Sequence, residues 1–439
     1  MIIRNDSSRK IVVDIFNAAV QAVDPYRLVT YHNNYISEAY NRDNCNRFYL
    51  ISFGKAAYAM AKAIDDNIPD TITNGIVITK YNHAKGVLSN NIDIFEAGHP
   101  IPDKNGLVAT RKVIDMLKNT DAKTFVLCLI SGGGSALLTA PLNDITLSEK
   151  QQVTELLFKS GADINELNTV RKHISAIKGG RLAELAYPSR IISLILSDVI
   201  GDQLDVIASG PTSPDKTTYS DAIAVIEKYR IADMIPVRIL KTLNEGVKGV
   251  FKDTPKIDDP VFERVENIII GSNKIATEAA AKKANELGFD TTILTSQLKG
   301  DVREAAKWLA AEGLKMRDEK HKTKKKVCLV SGGETTVTVK GKGLGGRNME
   351  LALAFAHEIE GTEDITLVSA GTDGTDGPTN AAGAVVDGQT IKRAREKGLD
   401  PDAYLKNNDS YTFFKNTGEL LITGSTGTNV MDIQVIVIT

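Results

Sequence analysis

Three stretches of this 439-residue sequence set cations and hydroxyls beside glycines in a way that suits anion chemistry. In FYLISFGKAAYAMAKAI an apolar run, Phe48 to Phe53, meets Gly54 and Lys55 and then an alanine-rich segment, which reads as strand, turn and helix. The helix dipole disfavours a cation at that position, so Lys55 is either a solvated lysine or one held for an anion that outweighs the mismatch. In TFVLCLISGGGSALL a second apolar run enters Ser131, Gly132, Gly133, Gly134 and Ser135 before helix formers resume. Glycines there let main-chain N–H groups approach an anion, so the stretch is a phosphate cradle or simply a tight turn. It is not a Walker loop, because no Lys follows the glycines, nor a nucleophile elbow, because Leu137 stands where the last Gly belongs. In NTVRKHISAIKGGRLAELA, one helix interrupted at Gly179 and Gly180 would put Arg171, Ser175 and Lys178 on a common face able to meet phosphates. A surface helix with snorkelling cations is the other reading.

Two loops offer carboxylates. Ser197, Asp198, Asp202 and Asp205 follow the apolar run IISLIL, and Asp373 and Asp376 follow ITLVSAG. Carboxylates at strand carboxyl ends suit a hard cation such as Mg²⁺, and Asp198, Asp202 and Asp373 are the candidate ligands. Asp also favours turns and caps for purely local reasons. Gly341, Gly343 and Gly346 match GxGxxG, which raises a nicotinamide site, but the preceding TVTVK alternates like a half-exposed antiparallel strand. Arg347, directly after the last of these glycines, reads as a second anion clamp or a surface ion pair. His99, just ahead of Pro100 and Pro102, reads as a structural loop histidine or a catalytic one, and Cys128 and Cys328 as buried strand residues.

The elements that position these residues alternate strand and helix. A chain of this length exceeds one ordinary core, and the turn toward polar, proline-bearing composition after Ser213 places a division between 245 and 246. A helix from about Ser8 to Ala22 opens the first domain, residues 1–245, and only packs; the second covers 246–439. VCLVSGGE echoes LCLISGGG, so each domain has a strand entering Ser-Gly-Gly, through shared ancestry or as paired loops facing one cleft. The tail reads as a strand. Formal charge is −2, which selects neither nucleic acid nor an anionic membrane. No apolar run approaches a membrane span, and MIIRNDSSRK lacks the apolar core of a signal peptide, so a cytoplasmic protein is expected. The basic run in HKTKKKVCLV reads as a solvated connection.

Taken in order, GKAAYAMA, AGHPIPD, SGGGSALL, NTVRKHISAIKGGRLA, SDVIGDQLDVIASGPT, SGGETTVTVKGKGLGGRNMELAL, AGTDGTDGPTNAAGA and TGSTGTNVMDI resemble the class II glycerate kinase family, with its N-terminal region and its MOFRL region. The resemblance implies two α/β domains, the first a Rossmann-like three-layer sandwich and the second with a mixed sheet, with the active site in the cleft between them. It implies ATP-dependent phosphorylation of D-glycerate with Mg²⁺. Archaeal members with non-phosphorylating or branched Entner–Doudoroff sugar breakdown make 2-phosphoglycerate, so a glycerate 2-kinase, monomeric or homodimeric, is the expectation. The family's active-site positions fall on Lys55 and Arg347, with Lys55 assigned to the phosphoryl group and Arg347 to the glycerate carboxylate. Two departures are visible: residues 51–53 are bulkier than usual before Gly54, and Met431 stands where Asn is common. A hydroxypyruvate or tartronate reductase and a non-catalytic phosphate sensor are the rival readings.

Overall fold

A computed structural model describes residues 7–323 and 325–439, the side chains of residues 321–324 excepted. The first six residues of MIIRNDSSRK, and part of the basic run expected to be a solvated connection, lie outside the described residues. Contacts divide the chain into two compact units, Pro25–Ile270 and a second made of Gly271–Thr439 with the described residues up to Asp24. The sequence placed a single division between 245 and 246.

In the unit Pro25–Ile270 six strands form one sheet: β1 (Arg47–Phe53), β2 (Asn74–Lys80), β3 (Ile92–Ala97), β4 (Thr124–Ile130), β5 (Arg190–Leu196) and β6 (Val265–Gly271). Their order is β3-β2-β1-β4-β5-β6, with parallel registers from β3 through β5. β4 is buried at every residue, which is why it reads as an unbroken apolar run rather than an alternation. Ile51, Phe53, Cys128, Ile130 and Ile195 pack in one core with Leu137 and Ile177, and each such side chain contributes about 1.5–3 kcal/mol by leaving water. In this strand order the chain reverses its direction of winding between β1 and β4, and open α/β sheets bind ligands beyond the carboxyl ends of the strands at such a point.

The second unit holds β7 (Asp290–Asp301), β8 (Val327–Thr336), β9 (Ile365–Gly371), β10 (Gly383–Asp387), β11 (Leu420–Leu421) and β12 (Asp432–Ile438). The order is β11-β10-β9-β12-β8-β7, parallel only between β7 and β8, so the sheet is mixed. The two α/β units, one sheet parallel and one mixed, are those the resemblance implied. The C-terminal tail is a central strand between β8 and β9, which explains its wholly apolar inner run.

Three local readings change. The opening helix, Ser7–Ala22, belongs with the later unit: Arg9, 2 % exposed, donates to Asp387 and Glu419, each more than 370 residues away. Ser331, Gly332 and Gly333 do not form a loop like their counterparts after β4. They stay inside β8, because β12 continues to pair with all three. TVTVK is not a strand of its own either, since β8 ends at Thr336.

Candidate active site

Lys55 follows β1 and residues 131–135 follow β4, so both sit at the winding reversal. The two turns are bolted together. Lys55 N–H donates to Gly132 O at 2.8 Å, Ser131 N–H to Phe53 O at 3.1 Å, and Ala56 N–H to Ser131 Oγ at 3.1 Å. Gly54 has φ +124°, and a Cβ there would stand 2.1 Å from Ser131 Oγ, so only glycine permits this approach. Gly133, at φ +81°, starts the short helix Gly134–Leu137. No protein partner is described for the Gly132 and Gly133 N–H groups, which leaves them able to donate to an anion.

Asp198 arrives from beyond β5 and lies against Gly132, where a Cβ would be 2.2 Å from its Oδ2. Burial raises the Asp198 pKa, and the charge of Lys55 opposes that rise. His99, read from sequence as structural or catalytic, joins this group: its ring and the Lys55 side chain both flank Gly133. Burial, followed by the charges of Lys55, Lys80 and His83, lowers the His99 pKa to about 4, so it is a neutral imidazole at neutral pH. His83 Nδ1 lies 3.1 Å from the Lys55 carbonyl.

At the other end of the same loop, Ser135 Oγ receives hydrogen bonds from Arg171 Nη2 and, at 3.1 Å, from Lys178 Nζ. These cations do not share a helix face. The helix Ile164–His173 stops after Arg171, Lys178 sits in the turn before Gly179 and Gly180, and Ser175 turns away to the Ala140 carbonyl. Lys150 joins them: it is 3 % exposed, bonds Thr139 Oγ1 at 2.9 Å, and lies close enough for Arg171 to lower its pKa further after burial, to about 7. Its burial was legible, since Lys150 continues the Val153–Leu157 stripe of the helix Leu147–Lys159. Asp202 occupies a left-handed turn position, φ +55°, and no described contact ties its carboxylate to Asp198.

Arg347 and Asp373 belong to the other unit. Arg347 is the first residue of the helix Arg347–Glu358, and its guanidinium is already engaged: Nε and Nη2 donate to Asp432 at 2.5 and 3.0 Å, and Nη1 lies 2.7 Å from Glu334. Burial works against its charge, but the hydrogen bond and charge of Asp432 prevail and raise its pKa. Asp373 Oδ1 accepts from Thr375, and it faces Gly371 together with Asp432 Oδ1. Asp376 caps the Arg347 helix through the N–H groups of Asn348 and Met349, and burial moves its pKa to about 7. This neighbourhood is therefore acidic, and Glu334, Arg347 and Asp376 line a cleft of about 550 Å³ together with Glu350 and Asn408. Met431, just before Asp432, lies at φ +70°, a conformation that Asn adopts more readily than Met.

The GxGxxG glycines serve packing. A Cβ on Gly341 would meet Asn407 O at 2.1 Å, one on Gly343 would meet Asp409 Cβ at 2.3 Å, and one on Gly346 would meet the Asp376 carboxyl carbon at 2.3 Å. The N–H groups of residues 340–344 are spent on Asn407, Asn408 and Asp409, so these five do not cradle a pyrophosphate. Among the described residues no group of three or more His, Cys, Asp or Glu side chains is placed to hold a metal, and no helix is long and apolar enough to cross a membrane.

Residues 11–244 match the model described as a domain of unknown function (DUF4147), and residues 327–432 match the MOFRL family. A Thermotoga maritima protein named D-glycerate 2-kinase is 44 % identical over 98 % of both chains. The chain belongs to the class II glycerate kinase family. The crystal structure of a Thermotoga maritima glycerate kinase superposes with a TM-score of 0.89, covering 98 % of this chain and 99 % of that one at 44 % identity. An Agrobacterium vitis member of the family, 41 % identical over 98 % of this chain and 95 % of its own, carries the provisional name hydroxypyruvate reductase.

Proposed function

We propose that this protein transfers the γ-phosphoryl group of ATP to a hydroxyl of D-glycerate, giving 2-phosphoglycerate, in the cytoplasm. The observation that carries this reading is the union of Lys55 with residues 131–135 at the winding reversal of the parallel sheet, beside Asp198. Phosphoryl transfer asks for position and charge neutralisation more than for covalent help. Lys55 supplies a mobile positive charge, and Gly132 and Gly133 supply unpaired N–H donors, for the oxygens that gain charge. Asp198, its pKa raised by burial and its carboxylate held against Gly132, is placed to accept the proton of the attacking hydroxyl.

Mg²⁺ usually arrives on the nucleotide and takes one or two protein carboxylates besides water, so the want of a three-residue cluster is compatible with it. Asp373, with Asp432 beside it, fits that demand by its oxygen donors, and Asp198 or Asp202 fits it as a single ligand. When bound, the ion would neutralise phosphate charge. Arg347, to which the resemblance assigns the glycerate carboxylate, is also engaged by the carboxylates of Asp432 and Glu334.

ADP release from ATP and Mg²⁺ should require D-glycerate, and coupling the product to enolase without a mutase should give immediate signal. Signal only after mutase addition would mean phosphorylation at the 3-hydroxyl. The name of the Agrobacterium vitis relative favours a second reading, hydroxypyruvate reduction. NADH or NADPH oxidation by hydroxypyruvate with no ADP formation would establish it instead.

A further inference from the structure

The cations around Ser135 lack what other buried cations of this protein have. Lys172, adjacent to Arg171 and 3 % exposed, faces Asp215 at 3.2 Å and Asp205 at 3.5 Å. Arg9, 2 % exposed, holds two carboxylates. Lys178, fully buried, has only the Ser135 hydroxyl and the Ala208 carbonyl at 3.3 Å. Lys150 has only Thr139, and Arg171 only Ser135. Among the described residues no carboxylate pairs with any of the three. The hydroxyl they converge on cannot neutralise them, and it is itself part of a chain of neutral groups, 2.8 Å from Ser209 Oγ, which donates to Asn168 Oδ1. Burying charge without a partner is costly, and a fold that pairs Lys172 and Arg9 elsewhere has left this group open. The open valences count too: a guanidinium carries five N–H donors and an ammonium three, more than the described bonds use.

We propose that Ser135, Arg171 and Lys178, backed by Lys150, seat the carboxylate of the phosphoryl acceptor and make the enzyme selective for short hydroxy acids over neutral polyols. This rests on the kinase reading above and goes beyond it by naming the group that reads the acid. The fork of Arg171 suits a carboxylate, and Arg171 and Ser135 are partly buried rather than fully enclosed. Lys55 flanks Gly133, two residues from Ser135, so the two ends of the loop lie within ~7.6 Å along the chain. That span suits a three-carbon acid whose carboxylate sits at one end and whose hydroxyl is presented at the other. Arg347 already has two carboxylate partners, Asp432 and Glu334, whereas Arg171 has none described. Burial also lowers the pKa of Lys178 well below its usual value, with Lys150 and Arg171 adding to the effect, as expected where an anion is missing.

The test compares wild type with Arg171→Met, Arg171→Lys and Lys178→Met by calorimetric titration of D-glycerate and of ATP, and by turnover with D-glycerate and with glycerol. Lys178 is deeply buried and its variant can fail to fold; Arg171, only partly buried, carries the test in that event. The expected result is a loss of about 10- to 100-fold in D-glycerate affinity in Arg171→Met, with ATP affinity unchanged. Arg171→Lys should recover part of the loss. Unchanged D-glycerate affinity in Arg171→Met, or equal losses with glycerate and glycerol, would overturn the proposal. If wild type neither binds nor phosphorylates D-glycerate, the kinase reading is what fails. Titration with inorganic phosphate then decides the seat: binding by wild type that Arg171→Met abolishes supports an oxyanion site, and no binding overturns that too.

Discussion

Asp198 Oδ2 lies 2.2 Å from the point that a side chain on Gly132 would occupy, so the carboxylate and the glycine-rich loop fit only while that position stays bare. Gly132→Ala should force the carboxylate out of its seat. The expected result is a fall in kcat of at least about 100-fold, in the range for a displaced acid–base group. Overpacking should cost only about 1–3 kcal/mol of stability. Steady-state kinetics beside urea denaturation separates the two effects, and an Ala variant with normal kcat would remove Asp198 from the proton transfer.

Lys55 is half-buried and makes its described hydrogen bonds through the main chain, to Gly132, Thr79 and His83, so its side chain is free to serve the substrate. Lys55→Met should leave the denaturation midpoint within the range of surface changes, about 0.5 kcal/mol, while lowering kcat by roughly 100- to 1000-fold. A variant that kept wild-type turnover would exclude Lys55 from catalysis.

Lys150 offers a prediction of opposite sign for stability. Its folded pKa of about 7 lies below the usual lysine value, so the native chain releases a proton that the unfolded chain keeps up to pH 10.5. The penalty is full below pH 7 and shrinks as pH rises from 7 toward 10.5, because there the unfolded state binds more protons than the native one. Lys150→Met should therefore stabilise the protein at pH 7 by roughly 1–4 kcal/mol, with a smaller gain at pH 9. Guanidinium melts at the two pH values check this, and a destabilised variant at pH 7 would show that the lysine is not carrying an uncompensated charge.

In the second unit, Asp432 is 1 % exposed whereas the Glu334 side chain is 42 % exposed, although both hold Arg347. Asp432→Asn should cost about 3 kcal/mol, since it strips a buried partner from the guanidinium, and Glu334→Gln no more than about 1 kcal/mol. Similar losses in the two variants, measured by thermal unfolding, would contradict the division of burial between them.

A Cβ on Gly343 would stand 2.3 Å from Asp409 Cβ, and the amides of residues 340–344 are all bonded within the protein. Gly343→Ala should destabilise the fold by about 1–3 kcal/mol, and neither wild type nor variant should bind NADH in a fluorescence titration. Saturable NADH binding lost in Gly343→Ala would revive the dinucleotide reading.

Much of the site was legible because its signals are local. An apolar run that stops at glycine and lysine, or at Ser-Gly-Gly-Gly-Ser, marks a strand end and a turn from the backbone needs of a few neighbouring residues, and β1 and β4 end there. The ordered motifs fixed the family in the same way, since each is a short string. What the sequence could not determine was which charges meet. Arg171 and Lys178 converge on Ser135 through a chain reversal after His173, not through helical spacing. Ser-Gly-Gly occurs twice, yet one copy turns and the other stays in β8, because only there does a neighbouring strand, contributed about a hundred residues later, go on supplying hydrogen-bond partners. Arg347 read as an anion clamp while its partner Asp432 lay 85 residues away in sequence. Local hydrogen bonding and side-chain shape write strands and turns into the sequence; Coulomb pairing and burial depend on distance in space, and only the tertiary structure sets that.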